Sequence, residues 1–181
     1  MTLQSLKNEV SQGINKEYIY FWGHRPSLDG SITKSCLSQW WKCDFTYNSQ
    51  TYWCMEQFMM AEKARLFKDK KILDLILNCN NQEEIKRLGR KVKPFNEKKW
   101  NQHREEIVIH GNMEKFSQNN KLKEYLLSTK DKVIVVASPY DTIWGVGVGE
   151  QDSRIINPFE WQGLNLLGFA LMIVRDRLSS M

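Results

Sequence analysis

The chain has 181 residues, with 26 Lys and Arg against 21 Asp and Glu, a formal net charge of +5 and 41% hydrophobic residues. That length sustains one domain with a real core and is short for two. No apolar run is long enough to span a bilayer, and the polar Met1–Glu17 lacks the apolar centre of a signal peptide, so a cytoplasmic protein with no membrane partner is expected.

In chain order, a polar segment over 1–17 precedes a single domain over 18–181. Ile19–Trp22 is a short aromatic strand candidate, and Gly23–Ser35 carries turn signals. Leu37–Trp41 is apolar and aromatic, with Trp40 and Trp41 at an edge of the core. Phe45–Tyr47 and Thr51–Trp53 flank Asn48-Ser49-Gln50 as a hairpin. From Trp53 to Phe67 the pattern is helical, free of Gly and Pro, and Glu56, Met60, Lys63 and Phe67 share one face. Ile72–Leu77 is a short apolar helix. Asn80 with Glu83 reads as a capping box for a helix that runs to about Val92 and is stopped by Pro94. Asn96 caps a long helix from Glu97 to about Ser117, weakened at Gly111 by about 1 kcal/mol relative to Ala. Lys121–Leu127 is helical, Lys132–Ala137 is a buried strand, and Leu164–Leu178 has helical apolar spacing. The fold class is mainly α with a few short β-strands (α+β). Without regular β-α alternation, no doubly wound sheet is expected.

The four cysteines, Cys36, Cys43, Cys54 and Cys79, contain no C-x-x-C pair, so neither a zinc knuckle nor a thioredoxin-like dithiol is indicated. The three histidines, His24, His103 and His110, are isolated, and no metal site or cofactor is expected. Gly145, Gly147 and Gly149 follow a Trp in a loop and make a weak dinucleotide fingerprint. Charge is uneven: eight basic residues between Lys86 and Arg104 face one acid, Glu97, so that window carries +7 and the rest of the chain −2. It is either a solvated face or a surface for phosphates. Two stretches combine ionisable groups with access. One is the helix face bearing Glu56 and Lys63. The other is Ser138–Gly149, a Gly-spaced loop after a strand, with Asp141 and Trp144 three apart. Each has an ordinary reading as well: charged groups flanking the core and pointing to water, and a turn-forming Asp beside a core Trp.

Four blocks resemble the NADAR family, also called YbiA-like. They are Tyr52-Trp-Cys-Met-Glu56 with Ala61-Glu-Lys63-Ala; Leu88-Gly-Arg90 with Trp100; Lys115-Phe-Ser-Gln-Asn119; and Ser138-Pro-Tyr-Asp141-Thr-Ile-Trp144-Gly followed by Gly163-Leu-Asn165-Leu-Leu-Gly168. The resemblance covers roughly Tyr20 to Leu178. It implies a single compact YbiA-like domain that cleaves N-glycosidic bonds to ribose. The substrate it implies is either a phosphoribosylamino-pyrimidine of riboflavin biosynthesis or ADP-ribose on guanine in DNA. Its site residues map to Glu56, Lys63 and Asp141 as catalytic groups, and to Arg90, Trp100, Trp144, Gly145 and Asn165 as substrate-binding ones. Val136 stands where family members often carry an acid, which leaves Glu56 and Asp141 as the acid candidates.

These groups suit that chemistry. Breaking a ribose C1–N bond builds positive charge that a carboxylate stabilises. A lysine of lowered pKa can instead attack C1 and hold the opened sugar as a Schiff base. Burial lowers the Lys63 pKa and a carboxylate raises it, and the sequence leaves the winner open. Glu56, Lys63, Asp141 and Trp144 are expected to converge on one pocket, with Lys86–Arg104 as its positive rim. The alternative is a non-catalytic module that binds ADP-ribose or nucleic acid.

Overall fold

The computed structural model describes all residues, Met1–Met181. In chain order the elements are α1 (Leu3–Ser11), β1 (Tyr18–Phe21), β2 (Phe45–Tyr47), β3 (Gln50–Tyr52), α2 (Met55–Leu66), α3 (Lys70–Leu77), α4 (Gln82–Gly89), α5 (Glu97–Gln118), α6 (Asn120–Ser128), β4 (Val133–Val136) and α7 (Leu166–Ser179). Short 3₁₀ turns occupy Lys34–Leu37 and Ser153–Ile156. The mainly helical class with a few short strands is the one the sequence predicts. The chain forms two compact units, residues 39–119 and residues 1–38 with 120–181.

In the 39–119 unit, α2 is the central helix. Every residue from Met55 to Ala61 is buried, and α3, α4 and α5 all pack on it. A helix covered on all sides must satisfy its own polar side chains. Gln57 does so, accepting from the Trp53 N–H at 3.1 Å and donating to the Ile76 and Leu77 carbonyls at 3.1 and 3.2 Å. That first bond holds Trp53 outside the helix, so α2 starts at Met55 behind an extended Cys54 and not at Trp53. In α5, Asn96 caps the helix through the Lys99 N–H at 2.8 Å, as its sequence predicts. Gly111 has a packing reason: a Cβ there would lie 2.4 Å from the Phe58 ring and 2.7 Å from the Met55 methyl. The helix gives up propensity at that point to bring α5 close to α2.

Three expectations are corrected here. The cap of α4 is Asn81, whose Oδ1 accepts from the Glu84 N–H at 2.9 Å, in place of the expected Asn80–Glu83 pair. The same helix ends at Gly89, before Val92, because the chain tightens into a Lys91 N–H to Leu88 carbonyl bond of 2.8 Å. The hairpin also closes more tightly than its composition suggests. Asn48 and Ser49 take φ of 48° and 63°, giving a two-residue turn, and Gln50 already belongs to β3.

In the other unit, β1 and β4 pair in parallel from Tyr18↔Val133 to Phe21↔Val136. Bonds from the Val133 and Ala137 N–H groups to the Glu17 and Phe21 carbonyls bracket that ladder. By strand alternation, Ile134 and Val136 turn their polar groups to the opposite edge. All four β4 residues are buried, so this edge needs partners. Asn165 supplies two of them: its Nδ2 donates to the Ile134 carbonyl at 2.9 Å and its Oδ1 accepts from the Val136 N–H at 3.0 Å. The Val146 N–H donates to the Val136 carbonyl at 3.0 Å. Arg175 of α7, 4% exposed, donates to the Thr129 hydroxyl and the Lys132 carbonyl just before β4. The N-terminal segment, expected only to be polar, carries a helix. Thr2 and Ser5 cap it reciprocally and Leu6 is buried.

Candidate active site

Lys63 is the best-defined ionisable group of the 39–119 unit. It sits half-buried on α2, and its Nζ donates to the Gly89 carbonyl at 2.8 Å. The same nitrogen lies 4.6 Å from the centroid of the Phe95 ring and 5.5 Å from that of Trp100. Burial lowers the Lys63 pKa from 10.5; Arg90 lowers it further, and Glu56 opposes both. Of the two effects the sequence left in balance, burial is the larger. A half-buried lysine whose pKa is lowered gives up its proton more readily than a free one, as a nucleophilic amine must.

The neighbours explain how this arises. Glu56 lies two turns before Lys63 and is 5% exposed, and Met60 between them is 8% exposed. The shared face therefore looks into protein and not to water. Gly89 ends α4 directly over Met60, where a Cβ would fall 1.9 Å from the Met60 sulfur and 2.8 Å from its Cγ. This close approach delivers the Gly89 carbonyl to Lys63. Gly89→Ala is expected to destabilise the protein by about 1–3 kcal/mol through overpacking. Urea denaturation should show this, and Met60→Ala in the same chain should recover most of it.

Within this unit Glu56, Lys63, Arg90 and Trp100 are brought together. Trp100 is buried, with its ring beside the Lys63 amine, while Arg90 is exposed. Phe95 and Gly89 were not singled out from sequence. Gly89 sits inside the Leu88-Gly-Arg90 block, but its contribution is a backbone carbonyl, which no residue type advertises. Phe95, 48% exposed, stands between Pro94 and Asn96, where a lone aromatic gives no periodic signal. Of the basic window, Lys86, Arg87, Arg90, Lys91, Lys93, Lys98 and Lys99 are all exposed.

The other four candidates lie together in the second unit. The Asp141 Oδ1 accepts from the N–H groups of Ile143 and Trp144 at 2.9 and 2.8 Å, so one carboxylate oxygen organises the turn. The Asp141 carbonyl accepts from the Gly147 N–H at 3.1 Å. Trp144 is half-buried, and its carbonyl accepts from the Leu167 N–H at 3.2 Å, at the start of α7. Gly145 is packed so that a Cβ would stand 2.9 Å from both the Asp141 and Val136 carbonyls, and its own carbonyl accepts from the Asn165 N–H at 3.0 Å. Asn165 is fully buried in a left-handed conformation, with both side-chain atoms given to β4.

The blocks that carry these residues define a class. The NADAR domain matches residues 20–179, and the chain belongs to that family. It is 41% identical over 165 residues to N-glycosidase R617 of Acanthamoeba polyphaga mimivirus, covering 88% of this chain and 95% of that protein. A riboflavin biosynthesis protein of Vibrio vulnificus is 27% identical over 96% of this chain, which spans 42% of that longer protein. The solution structure of Escherichia coli YbiA shares the fold, with a TM-score of 0.73 at 23% identity over 92% of this chain and 87% of that one. The protein is accordingly an enzyme of the N-glycosidase class. No helix is long and apolar enough to cross a membrane.

Proposed function

We propose that this chain hydrolyses the N-glycosidic bond between ADP-ribose and a guanine base in DNA, with Lys63 as nucleophile. The observation that carries the reading is the Lys63 amine itself, half-buried against two aromatic rings with its pKa lowered. The neutral amine attacks C1 of the ribose while the C1–N bond to the base breaks, and the base leaves with a proton. The ring then opens, C1 and Nζ share the imine double bond, and the ring oxygen takes a proton. Water adds to C1 and expels Nζ, returning the free sugar and the free lysine. Glu56 is the group assigned to these proton transfers, Arg90 to phosphate, and Trp100 to covering the reacting centre. Gly145 and Asn165 hold the Asp141–Trp144 loop in place.

The +7 window supports a polyanionic substrate, since a small monophosphate needs only one or two basic groups. A phosphoribosylamino-pyrimidine is the second reading, favoured by the match to the Vibrio vulnificus protein across nearly the whole chain. The test presents both substrates to the purified protein and follows the released fragment by mass spectrometry. Release of unmodified DNA and free ADP-ribose is expected. Turnover of the pyrimidine substrate with none on DNA would overturn the assignment in favour of the second reading.

A further inference from the structure

The chain has a cleft of about 420 Å³ beside Lys63, lined by Leu66, Phe67, Lys68, Pro94, Phe95 and Lys99, with Asn96 at its edge. This volume falls in the range of small-ligand sites, about 300–1,000 Å³. We infer that the cleft is a subsite for the adenosine diphosphate end of the substrate, with the base against Phe95 and the phosphates on Lys68 and Lys99. The inference rests on the ADP-ribosyl reading above and names where that part of the substrate is held.

Three observations lead to it. First, the floor is aromatic: the Phe67 and Phe95 rings lie 5.2 Å apart at 58°, and Phe95 is 48% exposed, with the Lys63 amine 4.6 Å from its centroid. A half-exposed ring at the mouth of a cleft is a surface on which a nucleobase stacks, worth about 1–3 kcal/mol per base. Second, the rim is cationic. Lys99 holds its Nζ over Phe67, 5.7 Å from the ring centroid, and bonds the Leu66 carbonyl at 3.2 Å, which leaves two of its protons for a ligand. Lys68 and Lys99 are both exposed. The nearby acid Asp69 is already engaged, accepting from the Ile72 and Lys93 N–H groups at 3.1 and 2.8 Å. Glu97 lies in the first turn of α5. Third, the cleft adjoins the reacting centre, because the Phe95 ring that walls it is the one lying 4.6 Å from the Lys63 amine. A ligand that reaches from the sugar over Phe95 arrives between Lys68 and Lys99.

This arrangement has no use for a phosphoribosyl monophosphate, which lacks the second phosphate and the adenine. The test is titration calorimetry of ADP and of ribose 5-phosphate against the intact protein and a Lys68→Asn/Lys99→Gln variant. Lys68 has φ of 60°, which Asn adopts readily, so the variant keeps the local backbone. Losing charge-assisted phosphate contacts should weaken ADP by at least about tenfold. Ribose 5-phosphate should bind both proteins alike, and KM for ADP-ribosylated DNA should rise with kcat kept. Equal ADP affinity in the two proteins, or no ADP binding to the parent, overturns the subsite. Release of ADP-ribose with an unchanged KM overturns the subsite and leaves the proposed function standing. ADP binding that the variant loses, with no turnover of ADP-ribosylated DNA, supports the subsite and overturns the proposed substrate.

Discussion

Lys63→Arg should abolish turnover while leaving the protein folded. The guanidinium keeps the positive charge and can still donate toward the Gly89 carbonyl and lie over Phe95, but it does not deprotonate to a nucleophile. The expected fall in kcat/KM is at least about 100-fold, the scale on which a positioned catalytic group contributes, with an unfolding midpoint close to the parent's. The parent's pH profile carries the second half of the prediction. Only the neutral amine attacks, so kcat/KM should rise with pH through the Lys63 pKa, and burial places that limb below the 10.5 of a free lysine. Glu56→Gln removes the charge that holds the Lys63 pKa up, so the same limb should move to lower pH. A limb that does not move would show that the Glu56 carboxylate does not face the amine in solution.

Asn165→Ala should cost the protein more stability than any single change within the Asp141–Trp144 segment. It strands the Ile134 carbonyl and the Val136 N–H, both buried, and leaves a Cβ-bearing residue without a stabilising side chain at φ of 54°. Unpaired buried groups cost about 1–3 kcal/mol each, so a loss of about 3–6 kcal/mol is expected once backbone strain is added. That is a large part of the roughly 5–15 kcal/mol that holds a domain together. Asn165→Gly separates the causes, because Gly accepts the left-handed backbone but cannot bond β4. If denaturant unfolding places the Gly variant within about 1 kcal/mol of the parent, the hydrogen bonds are not what Asn165 contributes.

What could be read from sequence follows from where the physics is local. A capping Asn located the start of α5, and a β-branched run located β4, since these signals lie within or beside the element itself. The register of β1 on β4 and the closing of the second β4 edge by Asn165 depend on residues more than a hundred and about thirty positions apart, respectively. Nothing in either stretch announces them. Residue type placed Lys63 and Glu56 on one helix face, but the sign of the Lys63 shift needed the packing of Trp100, Phe95 and Arg90 around it. The Gly89 carbonyl was illegible because its contribution is backbone geometry. At Asn165, the family resemblance implied a substrate contact, and the structure shows both polar side-chain atoms engaged with the strand.

The most direct test of the covalent role of Lys63 is reductive trapping during turnover. Borohydride added while the enzyme acts on ADP-ribosylated DNA should leave a reduced ribosyl adduct on the protein, and peptide mapping should place it on Lys63. Full activity with no adduct, or an adduct on any other lysine, would contradict the account.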